Sequence, residues 1–177
     1  MIYMLLTDGF EDIEALETLD ILRRAGLSTK TVGISGKTAV SSHNVTVMCD
    51  LVFEDTDFSD MGMLILPGGP GHTAFSESDK VQKLITSAYE KGLYIAAICA
   101  SPSVIGKMGL LKGKRFTCFP GFEDMVKGGI YSPEKVVSDG QFITARGAGA
   151  ASDFGFEIVT LFKGELISCE LKKQMQY

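Results

Sequence analysis

Short apolar runs that alternate with stretches of helical spacing constrain this chain more than any other feature. Ile2–Leu6, Ser28–Ile34, Met63–Leu66 and Gly92–Ile95 are brief, favour extended backbone and are bounded by glycine or polar turns. Between them, Glu11–Ala25 and Asp79–Lys91 read as helices that stop at Gly26 and Gly92. In the second helix Val81, Leu84, Ile85 and Ala88 make the apolar stripe. Strands alternating with helices in this way predict a doubly wound α/β sandwich with a mostly parallel sheet. After Met108 the pattern loosens through Gly109, Gly113, Phe116–Gly121 and Gly128-Gly129. Asp139-Gly140, flanked by β-favouring runs, predicts a hairpin over 136–144 with that pair at its turn. A last helix carries Phe154, Ile158, Val159 and Leu161 and ends at Gly164, leaving Glu165–Tyr177 as a polar tail. With no repeat or linker in 177 residues, residues 1–177 are expected to form one domain.

Charge and cysteine usage exclude several classes of function. The net charge is −5, and lysines and arginines are scattered, so no surface for nucleic acid is expected. No apolar run reaches the roughly 18 residues of a membrane helix, and the first residues reach Asp8 without a charged leader, unlike a signal peptide. Cys49, Cys99, Cys118 and Cys169 form no C-x-x-C pair, and the chain has only two histidines. That pattern argues against a zinc site or a secreted disulfide scaffold and for a reducing cytoplasm. Neither a metal nor a cofactor is expected. Gly36-Lys37-Thr38 looks like the tail of a phosphate-binding loop, but Thr31 stands where the earlier glycine is needed and extended chain follows. His43 reads as a surface turn residue, with no second ligand at a useful spacing.

Three segments carry chemistry. Ala96–Pro102 places Cys99 where a strand gives way to a helix, and free backbone N–H groups with the positive end of the helix dipole favour thiolate there. A turn of that kind also lifts the sulfur clear of the sheet, as in the nucleophile elbow of serine hydrolases. A free cysteine serving as a small core hydrophobe explains the same residue. Glu14 falls in line with Thr18, Ile21 and Ala25, on the side of its helix that faces protein, where a carboxyl's pKa rises. It equally suits a first-turn acid favouring the helix dipole. Finally, Pro67-Gly68-Gly69-Pro70-Gly71-His72 follows a buried strand, and such a turn leaves N–H groups free to hold an anion or oxyanion. In an open parallel sheet this turn and Cys99 share the ligand-binding edge.

Taken in order, these motifs resemble the ThiJ/PfpI superfamily, in its Parkinson-linked DJ-1 branch with the bacterial ThiJ-like members. The resemblance rests on Gly9–Glu14, Arg23–Gly26, Leu66–Gly69, Ala96–Pro102, Asp139-Gly140 and Arg146–Gly149, and covers nearly the whole chain. It implies a flavodoxin-like sandwich of the class I glutamine amidotransferase type, usually a homodimer. It also implies a reactive elbow cysteine at Cys99, a protonated glutamate at Glu14 bonded to that sulfur, and backbone amides of Gly68, Gly69 and Ala100 lining the site. Activities associated with the superfamily are glyoxalase-like conversion of methylglyoxal, deglycation of early adducts, redox sensing and chaperone-like protection.

Where one member of the DJ-1 branch carries a histidine near the cysteine, this chain has Phe119 beside Cys118, similar to bacterial relatives with an aromatic residue and a nearby cysteine there, so a Cys–His protease dyad has no obvious base and peptide hydrolysis is not expected. His72 is the one substitute at hand. The leading expectation is therefore a cofactor-independent enzyme in which the Cys99 thiolate attacks a dicarbonyl or glycated adduct and Glu14 moves a proton. The alternative is a redox-sensing or chaperone-like protein that uses an oxidisable Cys99 without significant turnover, with Cys118 as a candidate resolving thiol. Arg24 is expected to pair with Asp20 unless it serves an interface or the site, and Arg146 to lie near the pocket without acting in catalysis.

Overall fold

Every residue of β1 (Ile2–Leu6) is buried, which requires protein on both faces of the sheet it joins. Ile2, Met4 and Leu6 enter one core layer, and Tyr3 and Leu5 enter the other. The computed structural model describes all of residues 1–177 and shows how the two layers arise. From β1 the chain enters a wide π turn (Ile13–Glu17) that runs into α1 (Thr18–Arg24). The strands β2 (Thr29–Gly33), β3 (Thr38–Val40), β4 (Thr46–Met48) and β5 (Leu51–Val52) follow. Next come β6 (Met63–Leu66), a short α2 (Thr73–Glu77), α3 (Asp79–Glu90), β7 (Tyr94–Ile98) and α4 (Pro102–Lys107). The last part holds β8 (Arg115–Phe116), β9 (Ile130–Tyr131), β10 (Val136–Asp139), β11 (Phe142–Ala145), α5 (Ala151–Lys163) and α6 (Glu165–Gln174).

Seven strands make the main sheet in the order β10-β11-β7-β6-β1-β2-β5. Every neighbouring pair is parallel except the β10–β11 hairpin. From β1 the chain first builds outward through β2 and β5, then returns to β6 and builds the other way. The switch lies between β1 and β6, and a doubly wound sheet opens its crevice there, at the carboxyl ends of the strands. Leu19, Ile21 and Leu22 of α1 cover one face with Phe154, Ile158 and Val159 of α5. Val81, Ile85 and Ala88 of α3 cover the other with Val104 and Ile105 of α4. No helix is long and apolar enough to cross a membrane.

Four sequence expectations need correction. The first helix does not begin as a regular α-helix at Glu11, because the π turn widens residues 13–17. Asp139 is still paired, with Phe142, so the two-residue hairpin loop is Gly140–Gln141, with Gly140 at φ +62° taking the position that favours glycine. The loose half contains its own small parallel sheet of β8 and β9, too short to leave a pattern in the sequence. The expected polar tail is helix α6, turned back onto α5 after Gly164. Its signal is weak because only Ser168 and Leu171 are buried, and the Ser168 hydroxyl donates to the Phe156 carbonyl at 3.1 Å.

Docking of α6 through so few side chains gives a direct test. Leu171→Ala should lower unfolding free energy by about 2–4 kcal/mol, the usual range for a buried leucine. Leu166→Ala, on the exposed side of the same helix, should change it by less than about 0.5 kcal/mol. Urea titration of both variants distinguishes a docked helix from a loose tail.

Candidate functional site

At the carboxyl end of β7 the chain turns through Cys99 at φ +66°, a left-handed conformation that side chains other than glycine rarely adopt. Backbone hydrogen bonds from two directions hold it. The Cys99 N–H donates to the Ala145 carbonyl of β11, and the Phe119 N–H donates to the Cys99 carbonyl, both at 2.8 Å. Ser101, just past the elbow, donates its hydroxyl to the buried Pro67 carbonyl at 2.6 Å. Pro102 then opens α4 at a position where its missing N–H costs nothing. Strain at one residue is thus over-determined by three neighbouring segments.

Glu14 reaches the same point from the π turn and is 1% exposed. Its Oε2 accepts from the Gly68 N–H at 2.9 Å. A β-carbon on residue 68 would stand 2.5 Å from both Cys99 Cβ and Glu14 Oε2, so only glycine allows the carboxyl and the cysteine to meet. Gly69, at φ +90°, is equally confined, with a β-carbon meeting the Gly9 carbonyl oxygen at 2.4 Å. The Glu14 N–H donates to Glu11 Oε2 at 2.8 Å, and the Glu11 N–H donates to the Gly68 carbonyl at 3.1 Å. Glu11 therefore stitches the helix start to the glycine turn. Sequence reasoning passed over it, although an acceptor three residues before a helical N–H is a capping pattern.

Burial pushes the Glu14 carboxyl up to about 7, opposed by hydrogen bonding with Cys99; Glu11's charge adds to the rise, and the Gly68 and Ala148 N–H groups lower it. Burial also pushes the Cys99 thiol up to about 12, with the charge and hydrogen bond of Glu14 adding to the rise. The Gly69 and Ala100 N–H groups act in the opposite direction. This corrects the expectation of a ready thiolate. Peptide dipoles alone do not outweigh burial while a carboxylate stands alongside, and α4 contributes only 6 residues. The physical unit is a buried pair carrying one negative charge, and a neutral Glu14 would donate to the sulfur and favour thiolate.

The structure brings Cys99, Glu14, Gly68, Gly69 and Ala100 together and leaves other named residues apart. Arg24 lies at the exposed end of α1 and holds Asp20 at 2.6 Å, outside this cluster. The His72 Nδ1 donates to the Gly69 carbonyl at 2.9 Å, and its ring packs edge-on against Phe122, so it is committed to the turn. Cys118 is buried in the layer covered by α3 and is one of the residues lining the groove beside Phe119. Phe119 is about half exposed and rims the approach. With Tyr131, Arg146, Gly147 and Ala148 it lines a groove of about 380 Å³. His43 does have partners that linear spacing hid: Asp12 lies 2.7 Å from its Nδ1, and Glu11 is close by.

A cysteine on a strained strand-to-helix elbow, paired with a buried carboxyl at the switch point of a doubly wound sheet, defines an α/β protein of the class I glutamine amidotransferase-like type. Residues 1–161 match the model of the DJ-1/PfpI family, and the chain belongs to that family. A crystal structure of Drosophila melanogaster DJ-1beta superposes with a TM-score of 0.93 at 32% identity, covering 99% of this chain and 96% of that one. The glutathione-independent glyoxalase DJR-1.2 of Caenorhabditis elegans is 31% identical over 91% of this chain and 87% of its own length. The deglycase PYRAB04690 of Pyrococcus abyssi is 28% identical over 92% of this chain and 99% of its own.

The raised Glu14 carboxyl makes a signed prediction for stability. A folded-state pKa above the unfolded value stabilises fully below about 4.5 and loses that contribution as pH rises through about 7. Between pH 4.5 and 7.5 the wild type should therefore lose roughly 3 kcal/mol relative to Glu14→Gln. Any effect of Cys99 falls above pH 9, outside this window. Urea unfolding of both proteins at the two pH values checks it, and a constant difference between them contradicts the assignment.

Proposed function

We propose that this protein is a cofactor-independent enzyme of the glyoxalase and deglycase kind, acting on reactive dicarbonyls or on glycated adducts. The observation that carries the reading is the enclosure of Glu14 against Cys99 by Gly68, which only a glycine permits. The names of the nematode and archaeal relatives support the same chemistry.

For methylglyoxal the steps balance without an external oxidant. Glu14 takes the thiol proton, and the Cys99 sulfur bonds to the aldehyde carbon while the carbonyl π electrons move to oxygen. N–H groups of Gly69 and Ala100 steady that oxygen until it is protonated to the hemithioacetal. Glu14 then carries a proton from the former aldehyde carbon to its neighbour, while the hydroxyl proton passes to the adjacent carbonyl oxygen through the enediol, leaving a thioester. Water cleaves the carbon–sulfur bond, releasing lactate and restoring the thiol. A group titrating near 7 suits both halves of this proton traffic. A protease-like Cys–His dyad is not part of this reading, because His72 Nδ1 is held by the Gly69 carbonyl.

We place the active protein in the cytoplasm as a homodimer that protects against carbonyl stress. Exposed Ile13, Val45 and Met48 support an interface beside the site.

Cys99→Ser should lower kcat/KM for methylglyoxal at least about a thousandfold, and Glu14→Gln should lower it by about 10²–10⁴. Lactate formation at equal enzyme concentration is the measurement. A Cys99→Ser rate equal to wild type removes the nucleophile from the mechanism.

A further inference from the structure

The groove beside the elbow holds a cation that no internal group neutralises. The nearby Arg115 pairs with Glu134 at 2.7 Å and Lys135 with Asp153 at 3.0 Å. Arg146 lines the groove, yet its guanidinium makes neither an ion pair nor a hydrogen bond within the chain. Only its backbone is engaged, the N–H donating to the Lys135 carbonyl at 3.1 Å. Immediately after it, the Gly149 N–H finds no acceptor in the chain, and a β-carbon on Gly149 would meet nothing within 4 Å. This is also the approach to the amino end of α5, a 13-residue helix without a side-chain cap. Arg146 and the unpaired Gly149 N–H therefore line one open groove.

That space adjoins the reacting centre through Gly147, which lines the groove. A β-carbon on Gly147 would lie 3.3 Å from the Phe119 ring and 4.0 Å from Glu14 Oε1, so this one glycine separates the groove from the buried carboxyl. The next N–H, of Ala148, acts on Glu14 from the same side, lowering its pKa. Phe119 and Tyr131 supply apolar walls to the same groove as the cation. A neutral three-carbon aldehyde needs none of these features.

We propose that Arg146 and the Gly149 N–H form a subsite for a carboxylate, and that the preferred substrates are α-oxoaldehydes bearing a carboxylate at the end of a short carbon chain. The proposal rests on the reading that Cys99 attacks a carbonyl. With the aldehyde carbon at Cys99, the chain lies between Phe119 and Tyr131 and its carboxylate meets the guanidinium in a charge-assisted pair. Arg146 here sets specificity and does not take part in bond making.

Two measurements test it with 4,5-dioxopentanoate, its methyl ester and the inert diacid glutarate. The first is the ratio of kcat/KM for the acid over the ester. In the wild type the ratio should be about ten or more, the usual worth of a hydrogen bond to a charged group. It should fall to near one in Arg146→Ala, be partly kept in Arg146→Lys, and shrink as salt is raised. The second is protection of Cys99 from iodoacetamide by glutarate, expected in the wild type and lost in Arg146→Ala. Equal ratios in wild type and Arg146→Ala overturn the subsite, as does equal protection or no protection in both. Protection that depends on Arg146 without turnover of either aldehyde keeps the subsite and removes the catalytic reading instead.

Discussion

Glu14 has no access to water, and much of the site follows from that single fact. A carboxyl closed off in this way resists ionisation unless hydrogen-bond donors surround it. The donors come from backbone N–H groups of Gly68 and Ala148, supplied by two different strand ends. Bringing them in requires a glycine at 68, a π turn that aims Glu14 inward, and Glu11 tying that turn to the glycine loop. The left-handed Cys99 then has one place to put its sulfur, against an acid poised to gain or lose a proton near neutrality.

The arrangement also explains why reactivity and burial coexist. A thiol in this position is pushed up by desolvation and by a neighbouring negative charge. Neither influence is fixed, because the neighbouring charge disappears when Glu14 takes a proton. The sulfur's nucleophilicity is then governed by the carboxyl rather than by the short helix α4. An elbow without the acid would present an inert buried cysteine.

Much of the parallel sheet is legible in the sequence, because buried parallel strands must be continuous apolar runs and Met63–Leu66 and Ile2–Leu6 are just that. Glu14's inward position is legible from helical spacing, since the π turn does not rotate it to the wet side. Long-range pairings are not legible. Nothing near Cys99 in sequence announces that Ala145 and Phe119 pin its backbone, nor that Asp12 reaches His43. Helix α6 was hidden by having only two inward residues, and the β8–β9 sheet by its length. The unpaired state of Arg146 is a property of three-dimensional neighbours alone. The family resemblance supplied the link between Glu14 and the sulfur that spacing left open.

The most direct test of this account is the titration of Glu14 itself, followed by the carboxyl carbon resonance of isotopically labelled glutamate and assigned with Glu14→Gln. The account predicts a midpoint near pH 7, moving upward in Cys99→Ala because the hydrogen bond from the sulfur group no longer favours the charged form. A midpoint near 4.3, where an unperturbed glutamate titrates, would contradict it.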